Sequence, residues 1–151
     1  MTKVIEHDYD TGEVRVVLGT KTYRLRPPTI GQSRELDLLA ETIDRESAAA
    51  VEERVAAALA DDEALDEAAV ATLRRLSPAD LALAALPWWR RLFELCGDAK
   101  TLPDDDDWPL WIGSSAIIGR LQAFWVLYPF VALGPLAPAN QAPPVSSAAS
   151  G

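Results

Sequence analysis

The sequence has little of the chemistry that most enzyme and metal sites use. It contains one Cys and one His. Cys96 alone excludes an internal disulfide and suits a reducing cytosol. His7 has no second His and no Cys near it, so we interpret it as a solvated loop residue. The sequence also lacks a phosphate-binding loop, a dinucleotide glycine fingerprint and a nucleophile elbow. We predict that the protein is not an enzyme and holds no cofactor and no metal.

Clustered positive charge and a membrane-length apolar run are missing as well. The formal net charge is −9, and residues 30–75 carry twelve acidic against five basic residues. Phosphate neutralisation needs clustered Lys and Arg, so we predict no nucleic-acid partner. The apolar stretch Leu121 to Ala137 is short for a bilayer and contains Pro129, and the first residues lack the apolar region of a signal peptide. We therefore predict no membrane contact.

Two β-type runs stand near the N-terminus. They are Glu13–Leu18 and Lys21–Arg26, and the pair Gly19-Thr20 joins them. Gly at the first loop position fits a two-residue type II′ hairpin. Residues 1–12 look polar and turn-like. A lone hairpin is marginally stable in water, so this one must pack on helices or pair with another chain.

Helix signals follow the hairpin. Thr29 opens a capping box, and the helix after it is predicted to run to about Asp44. Ser47 is predicted to cap a second helix that ends at residues 61–63, and a third helix begins near Asp66. The apolar stripes of these helices are narrow, so each buries little area.

A stronger helix start lies at Ser77, which is followed by Pro78 and Asp80. This helix presents one apolar face and ends at Gly97, a good C-cap. Pro87 is predicted to kink the helix or to split it in two.

The sequence Trp88-Trp89-Arg90-Arg91 within this helix allows two interpretations. In the first, Trp88 lies in the core, Trp89 is half-buried and both Arg side chains are at the surface. In the second, the four residues form a partner-binding patch with Arg stacked on Trp.

The segment Pro103–Pro129 combines an acidic run with the most aromatic part of the chain. Asp104–Asp107 lacks the ligand spacing of a calcium loop, so we interpret it as a solvated capping loop in which Asp106 or Asp107 caps the next helix. That helix is predicted to start at Trp108-Pro109 and to end at Pro129. It is apolar on two faces, which indicates burial on both sides, in a core or against a partner.

Large aromatic side chains are the best candidates for partner binding, because binding hot spots favour Trp and Arg. We expect Trp108 and Trp111 at the start of the last helix, with at least one packed against the helix of residues 88–95. The full set of candidates is Trp88, Trp89, Arg90, Trp108, Trp111 and Trp125.

Together these signals predict a mainly α fold. The hairpin packs on a helical bundle, and the two form one domain over residues 1–136. Residues 137–151 are rich in Pro, Ala and Ser and carry no charge, so we predict a disordered tail there.

The order of these motifs resembles a known family. A hairpin ending in RLRPPTIGQ is followed by an acidic helical middle, the helix end LFELCGD, the turn LPDDDDWPLWI and a Trp-rich helix. This arrangement is similar to the tail assembly chaperones of long-tailed, siphovirus-type bacteriophages of actinobacterial hosts. The likeness covers about residues 13–136 and is most specific over Lys21–Gln32 and Leu102–Ile112. Eleven Arg against three Lys suit a GC-rich host genome.

The resemblance implies a non-catalytic protein. Such chaperones bind the long helical tape-measure protein and help to recruit tail-tube subunits. They act in the host bacterial cytoplasm during assembly, are not expected in the mature virion, and often exist in a short form and a frameshifted longer form. Self-association is also open. Two alternatives remain: a structural tail or connector protein whose hairpin adds a strand to a neighbour, and a small acidic adaptor module unrelated to phage.

Overall fold

The computed structural model describes residues 4–61 and 65–132, which form a small sheet and four α-helices. In chain order the elements are β1 (Ile5–His7), β2 (Val14–Leu18), β3 (Lys21–Leu25), α1 (Ile30–Asp61), α2 (Glu67–Arg74), α3 (Pro78–Cys96) and α4 (Ser115–Ala132). Two short 3₁₀ turns, Asp105–Asp107 and Leu110–Gly113, lie between α3 and α4. The predicted mainly α fold with a small N-terminal β element is confirmed. The domain boundary at residue 136 and the tail at 137–151 lie outside the described residues.

The sheet has three antiparallel strands in the order β1-β2-β3. Leu18 pairs with Lys21 across the turn, and Gly19 has the positive φ of 64° that a two-residue hairpin turn requires at its first position. Strand β1 was not predicted from the sequence, because Ile5–His7 is too short and too polar to show an alternating pattern. The placement of His7 in a solvated loop was wrong: it lies in β1, and its ring is 4.6 Å from that of Phe124.

Helix α1 is one helix of 32 residues, where the sequence analysis predicted two. Its interior after Gly31 contains neither Pro nor Gly, and its Ala-rich sequence favours helix through Ser47. A single Ser is therefore too weak a signal to start a new helix. The capping box at its start is confirmed: the Thr29 backbone N–H donates to Gln32 Oε1 (3.0 Å), and the Gln32 N–H donates to Thr29 Oγ1 (3.2 Å).

The C-terminal half of α1 is fastened to α2. The Arg54 guanidinium donates to the Leu73 carbonyl oxygen (2.6 Å), and Arg74 pairs with Glu52 (3.0 Å). Asp66 caps α2 by accepting from the Ala69 N–H, as its position in the sequence indicates. Of the residues predicted to break the helix, Asp61 ends α1, and residues 62–63 lie outside the described residues.

Of the two proline predictions, the end of the last helix at Pro129 was wrong, and the kink or split at Pro87 is not seen as a split. Pro87 lies inside α3, which is not split, and Pro129 lies inside α4, which continues to Ala132. A proline removes one backbone hydrogen bond, but the buried neighbours Leu86 and Trp88 hold α3 in place. Helix α4 also starts at Ser115 rather than at Trp108, so Asp106 and Asp107 do not cap it.

The main core lies between the sheet and α3. Val14, Val16 and Leu25 project from the strands and are fully buried with Leu92 and Phe93 of α3. The capping box at Ser77 starts α3 as predicted, and Gly97 ends it in an extended conformation. Next to this end, the Arg26 N–H donates to the Cys96 carbonyl oxygen (2.9 Å), and burial raises the pKa of the Cys96 thiol. The C-terminal end of α3 is therefore joined to the sheet.

Arg91 links α3 to α1 at the surface. Its guanidinium donates to a Glu35 carboxylate oxygen and to Glu94 Oε1. The hydrogen bond from Arg91 lowers the pKa of Glu35 below its usual value. This stabilisation is therefore present above the ordinary Glu pKa and is lost as the pH falls through the lowered value. Both partners are exposed, so the ion pair contributes little.

Two glycines with positive φ provide a test of how the β1–β2 turn packs on α4. Gly12 has φ 77°, and a Cβ there would lie 2.4 Å from the Tyr128 ring and 2.7 Å from Pro27 Cγ. Gly19 has φ 64° and open space around it. Gly19→Ala is expected to cost about 1–2 kcal/mol through backbone strain alone. Gly12→Ala is expected to cost about 2–4 kcal/mol, because overpacking adds to that strain. Urea unfolding measures both, and equal losses would contradict the packing of Tyr128 on this turn.

Candidate partner-binding surface

Trp89 joins α3 to the second 3₁₀ turn. Its side chain is 0% exposed, and its indole N–H donates to the Ile112 carbonyl oxygen (2.7 Å). The Trp88 and Trp111 rings meet it edge to face, with centroids 5.2 and 5.5 Å away. Edge-to-face contacts are favourable beyond the area that they bury. The Trp89 ring is therefore fixed on both sides.

Trp108 and Arg90 form a second contact beside this cluster. The Trp108 ring lies 5.4 Å from that of Phe93, and its indole N–H donates to the Pro103 carbonyl oxygen (3.0 Å). The Arg90 guanidinium lies 5.5 Å from the centroid of the Trp108 ring and donates to Asp105 Oδ1 (2.6 Å). One acid of the run thus pairs with Arg90. Among the residues that the structure describes, no group of three or more acidic, His or Cys side chains could hold a metal ion.

The structure divides the six partner-binding candidates into two groups. Trp88, Trp89 and Trp108 are buried, whereas the other three are partly accessible: Arg90, Trp111 and Trp125. Trp89 is thus more deeply buried than the half-buried position predicted for it. The expected packing of Trp108 or Trp111 on α3 is confirmed for both, although both precede α4 rather than begin it. Direct partner contact by the six side chains stays a prediction.

Trp88 differs from the other buried Trp residues in its hydrogen bonding. Its side chain is 3% exposed, and its indole N–H has no acceptor within the described part of the chain. Trp125, in contrast, donates to the Gly12 carbonyl oxygen (2.9 Å) and so ties α4 to the β1–β2 turn. A buried donor without a partner carries an energetic penalty.

The outer face of α4 is an apolar surface that the sequence analysis did not assign residue by residue. Val126 is 66% exposed and Leu127 53%, and Phe130 and Val131 are exposed beside them. Arg120 is the one charged residue of the helix. The sequence pattern predicted burial of two apolar faces, one with Leu121 and Phe124 and one with Ile118 and Trp125. Within the described residues the first face is buried and the second is partly buried against the core, whereas the exposed residues lie on a further face that the pattern did not include. We call Val126, Leu127, Phe130 and Val131 the α4 face.

Two grooves run between α1 and α4, each with a volume of about 610 Å³ and a floor formed by α3. We call the first the Trp88 groove. Its lining includes Ile30, Asp37, Trp88, Gln122, Trp125 and Val126. We call the second the Ile43 groove. Its lining includes Ile43, Asp44, Val51, Leu81, Ala85 and Ile118. Val126 belongs both to the α4 face and to the Trp88 groove, so the two surfaces are continuous.

The α1 side of these grooves is acidic. Helix α1 carries eight acidic and three basic residues. Asp37 lines the Trp88 groove and Asp44 the Ile43 groove, and Glu41 lies exposed one helical turn from each. Within residues 4–61 and 65–132, none of these three acids forms an ion pair. The surface therefore combines an apolar side on α4 with a net acidic side on α1.

Comparison with protein-family models, with curated proteins and with solved structures finds no match to this chain. Among the described helices, none is long and apolar enough to cross a bilayer.

Two Trp substitutions test the arrangement of the aromatic cluster. Trp88→Phe and Trp89→Phe remove the same atoms, but only the second leaves a buried carbonyl oxygen, that of Ile112, without its donor. Trp89→Phe is therefore expected to lower the free energy of unfolding by about 1–3 kcal/mol more than Trp88→Phe. Urea denaturation followed by far-UV circular dichroism measures both values. A Trp88→Phe chain that is the less stable of the two would contradict this arrangement.

Proposed function

We propose that this protein is a non-enzymatic assembly chaperone for a bacteriophage tail. It binds the elongated, helical tape-measure protein, keeps it soluble and helps to recruit tail-tube subunits. It acts in the host cytoplasm during assembly and leaves before the virion matures. The partner's identity comes from the family resemblance of the sequence, and the mode of binding comes from the surface of α4.

The observation that carries the proposal is the uncovered α4 face. Four large apolar side chains in the last two turns of a described helix are unusual on a chain that works alone, because contiguous exposed apolar patches mark interaction sites. An amphipathic partner helix can bury such a face by the same packing that joins helices within a domain. Trp125 is partly accessible beside Val126 as an additional aromatic contact, and Trp111 is partly accessible near the N-terminal end of α4.

The acidic charge of the chain suits a chaperone of this kind. The formal net charge is −9, and α1 accounts for eight acidic against three basic residues. Like charges repel, so copies of the protein that expose the α4 face are kept from associating through it. The same charge keeps a complex with an apolar partner in solution.

The structural-protein alternative depends on a free sheet edge. In the described residues β1 is the outer strand on one side, and the other side, at β3, is joined to the end of α3 by the Arg26 N–H. An edge of only three residues offers few hydrogen bonds to a neighbouring chain. We therefore favour the chaperone, and fixed stoichiometry of this protein in purified virions would support the alternative instead.

Substitutions on the α4 face test the proposal. Leu127→Gln with Phe130→Gln is expected to reduce recovery of the co-expressed tape-measure protein by about tenfold or more, because two apolar anchors are lost. Leu38→Gln is the matched control, since Leu38 of α1 is 54% exposed and lies outside the α4 face. Affinity capture of the tagged chain, followed by quantification of the soluble partner, measures the effect.

Circular dichroism of the purified double variant verifies that it remains folded. If the wild-type chain recovers no tape-measure protein and the tape measure is equally soluble alone, the chaperone proposal is wrong. If the control loses as much partner as the double variant, the α4 face is not the site of binding.

A further inference from the structure

We infer that the Trp88 and Ile43 grooves form one continuous site for an amphipathic helix that is apolar on one face and carries Lys or Arg along its border. The inference rests on the proposed function, because it takes the helix to be part of the partner that the α4 face binds. It adds the location and the charge of the bound segment.

The two grooves lie in one line. Along α1 the lining passes from Ile30 in the Trp88 groove to Glu52 in the Ile43 groove, about 33 Å at 1.5 Å per residue. Along α4 it passes the opposite way, from Val126 back to Ser115. The α4 residues that line the two grooves recur every three to four positions, so they share one face of the helix: Ser115, Ile118, Gln122, Trp125 and Val126. Helices α1 and α4 are therefore antiparallel walls of one trough.

The floor of the trough suits a helix. In the Ile43 groove α3 contributes Ala84 and Ala85 beside Leu81, and small side chains allow a helix backbone to approach closely. Exposed apolar side chains stand at the other end, where Ile30 is 91% exposed and Val126 lies opposite it. A helix seated in the trough buries these side chains, which the chain alone leaves in water.

Charge selects the type of helix. Asp37 and Asp44 line the trough, and Glu41 lies between them in sequence. Two cations line the trough. Arg34 lies one helical turn before Asp37 and forms no ion pair within the described residues, and Arg74 is bonded to Glu52. The acids Asp37, Glu41 and Asp44 outnumber the one remaining cation. A partner helix with basic residues beside its apolar face can pair with the acids of α1, whereas an acidic helix is repelled.

The buried Trp88 indole N–H is a second, independent observation. Trp88 lines the trough, and its N–H has no acceptor among the residues described. Buried donors in proteins are almost always paired. Because the N–H is itself buried, a Gln side chain of the arriving helix can supply the oxygen atom only if the Trp88 ring turns toward the trough on binding.

Two synthetic peptides test the site on the full chain. The first is an amphipathic helix of about 21 residues, long enough to span about 32 Å, with Leu and Ala on one face, Lys on the borders and one Gln among the apolar residues. The second has Glu in place of every Lys. The Lys peptide is expected to bind and to shift the indole N–H resonances of Trp88 and Trp125 in ¹⁵N spectra. The signals of Trp89 and Trp108, which lie outside the grooves, are expected to move little.

A matched pair of variants tests the charge argument. Asp37→Asn with Asp44→Asn is expected to weaken binding of the Lys peptide by about fivefold, and the difference is expected to fade at high salt. Glu46→Gln with Glu53→Gln removes the same charge from exposed positions of α1 that line neither groove, so it is expected to leave the affinity nearly unchanged.

Several results would overturn the inference. Equal binding of the two peptides, or equal loss of affinity in the two variants, would exclude charge selection. A dimer of the chain that the Lys peptide dissociates would place a second copy in the trough. A synthetic peptide of residues 133–151 that displaces the Lys peptide would place this chain's own C-terminus there.

The outcomes separate the inference from the proposed function. If the Lys peptide does not bind but the chain still recovers the tape-measure protein, the trough is not the site and the chaperone function stands. If the Lys peptide binds as described but no tape-measure protein is recovered, the trough is a helix-binding site in a protein of different function.

Discussion

The hydrogen bond between the Trp89 indole N–H and the Ile112 carbonyl oxygen joins α3 to the segment that leads into α4. This 2.7 Å contact lies at a fully buried side chain, where an unpaired partner on either side is costly. It fixes the second 3₁₀ turn on α3, and this turn leads directly into α4. Farther along α3, Phe93 contacts the sheet through Tyr23, with ring centroids 5.4 Å apart. Helix α3 is therefore the common support of the sheet, the 3₁₀ turns and α4.

A rigid centre of this kind explains how the α4 face and the trough can remain exposed to solvent without a change in the positions of α1 and α4. Helix α1 packs on α3 and α4 packs on the second 3₁₀ turn, so both are held by the centre. The aromatic residues stabilise the fold from inside, because Trp88, Trp89 and Trp108 are buried. Under the proposed function, recognition of the partner falls to exposed side chains such as Val126 and Leu127 and to the acids of α1. The buried aromatic residues thus hold the surface in place, whereas the exposed residues are available to contact a partner.

Local signals in the sequence predicted the local structure well. The capping boxes at Thr29 and Ser77 form as expected, because their hydrogen bonds involve only neighbouring residues. Features that depend on tertiary packing could not be predicted from the sequence. Strand β1 forms by pairing with β2, and α3 continues through Pro87 because the neighbours of this proline are buried. For the candidate site, the two-sided apolar pattern of the last helix predicted a docking element. The pattern could not predict which face of this helix the rest of the chain covers, because the covered face is set by the ring contacts of His7 and Tyr9 with Phe124.

We propose that a fixed aromatic core presents the α4 face and the trough beside it to a helical partner. Amide hydrogen exchange of the full chain, measured alone and in complex with the co-expressed tape-measure protein, tests this proposal. We expect slow exchange in the middle of α3 in both states, and strong new protection on binding in α4 and in residues 30–52 of α1. Protection confined to the β1 edge, or exchange in α3 as fast as in the C-terminal turn of α4, would contradict it.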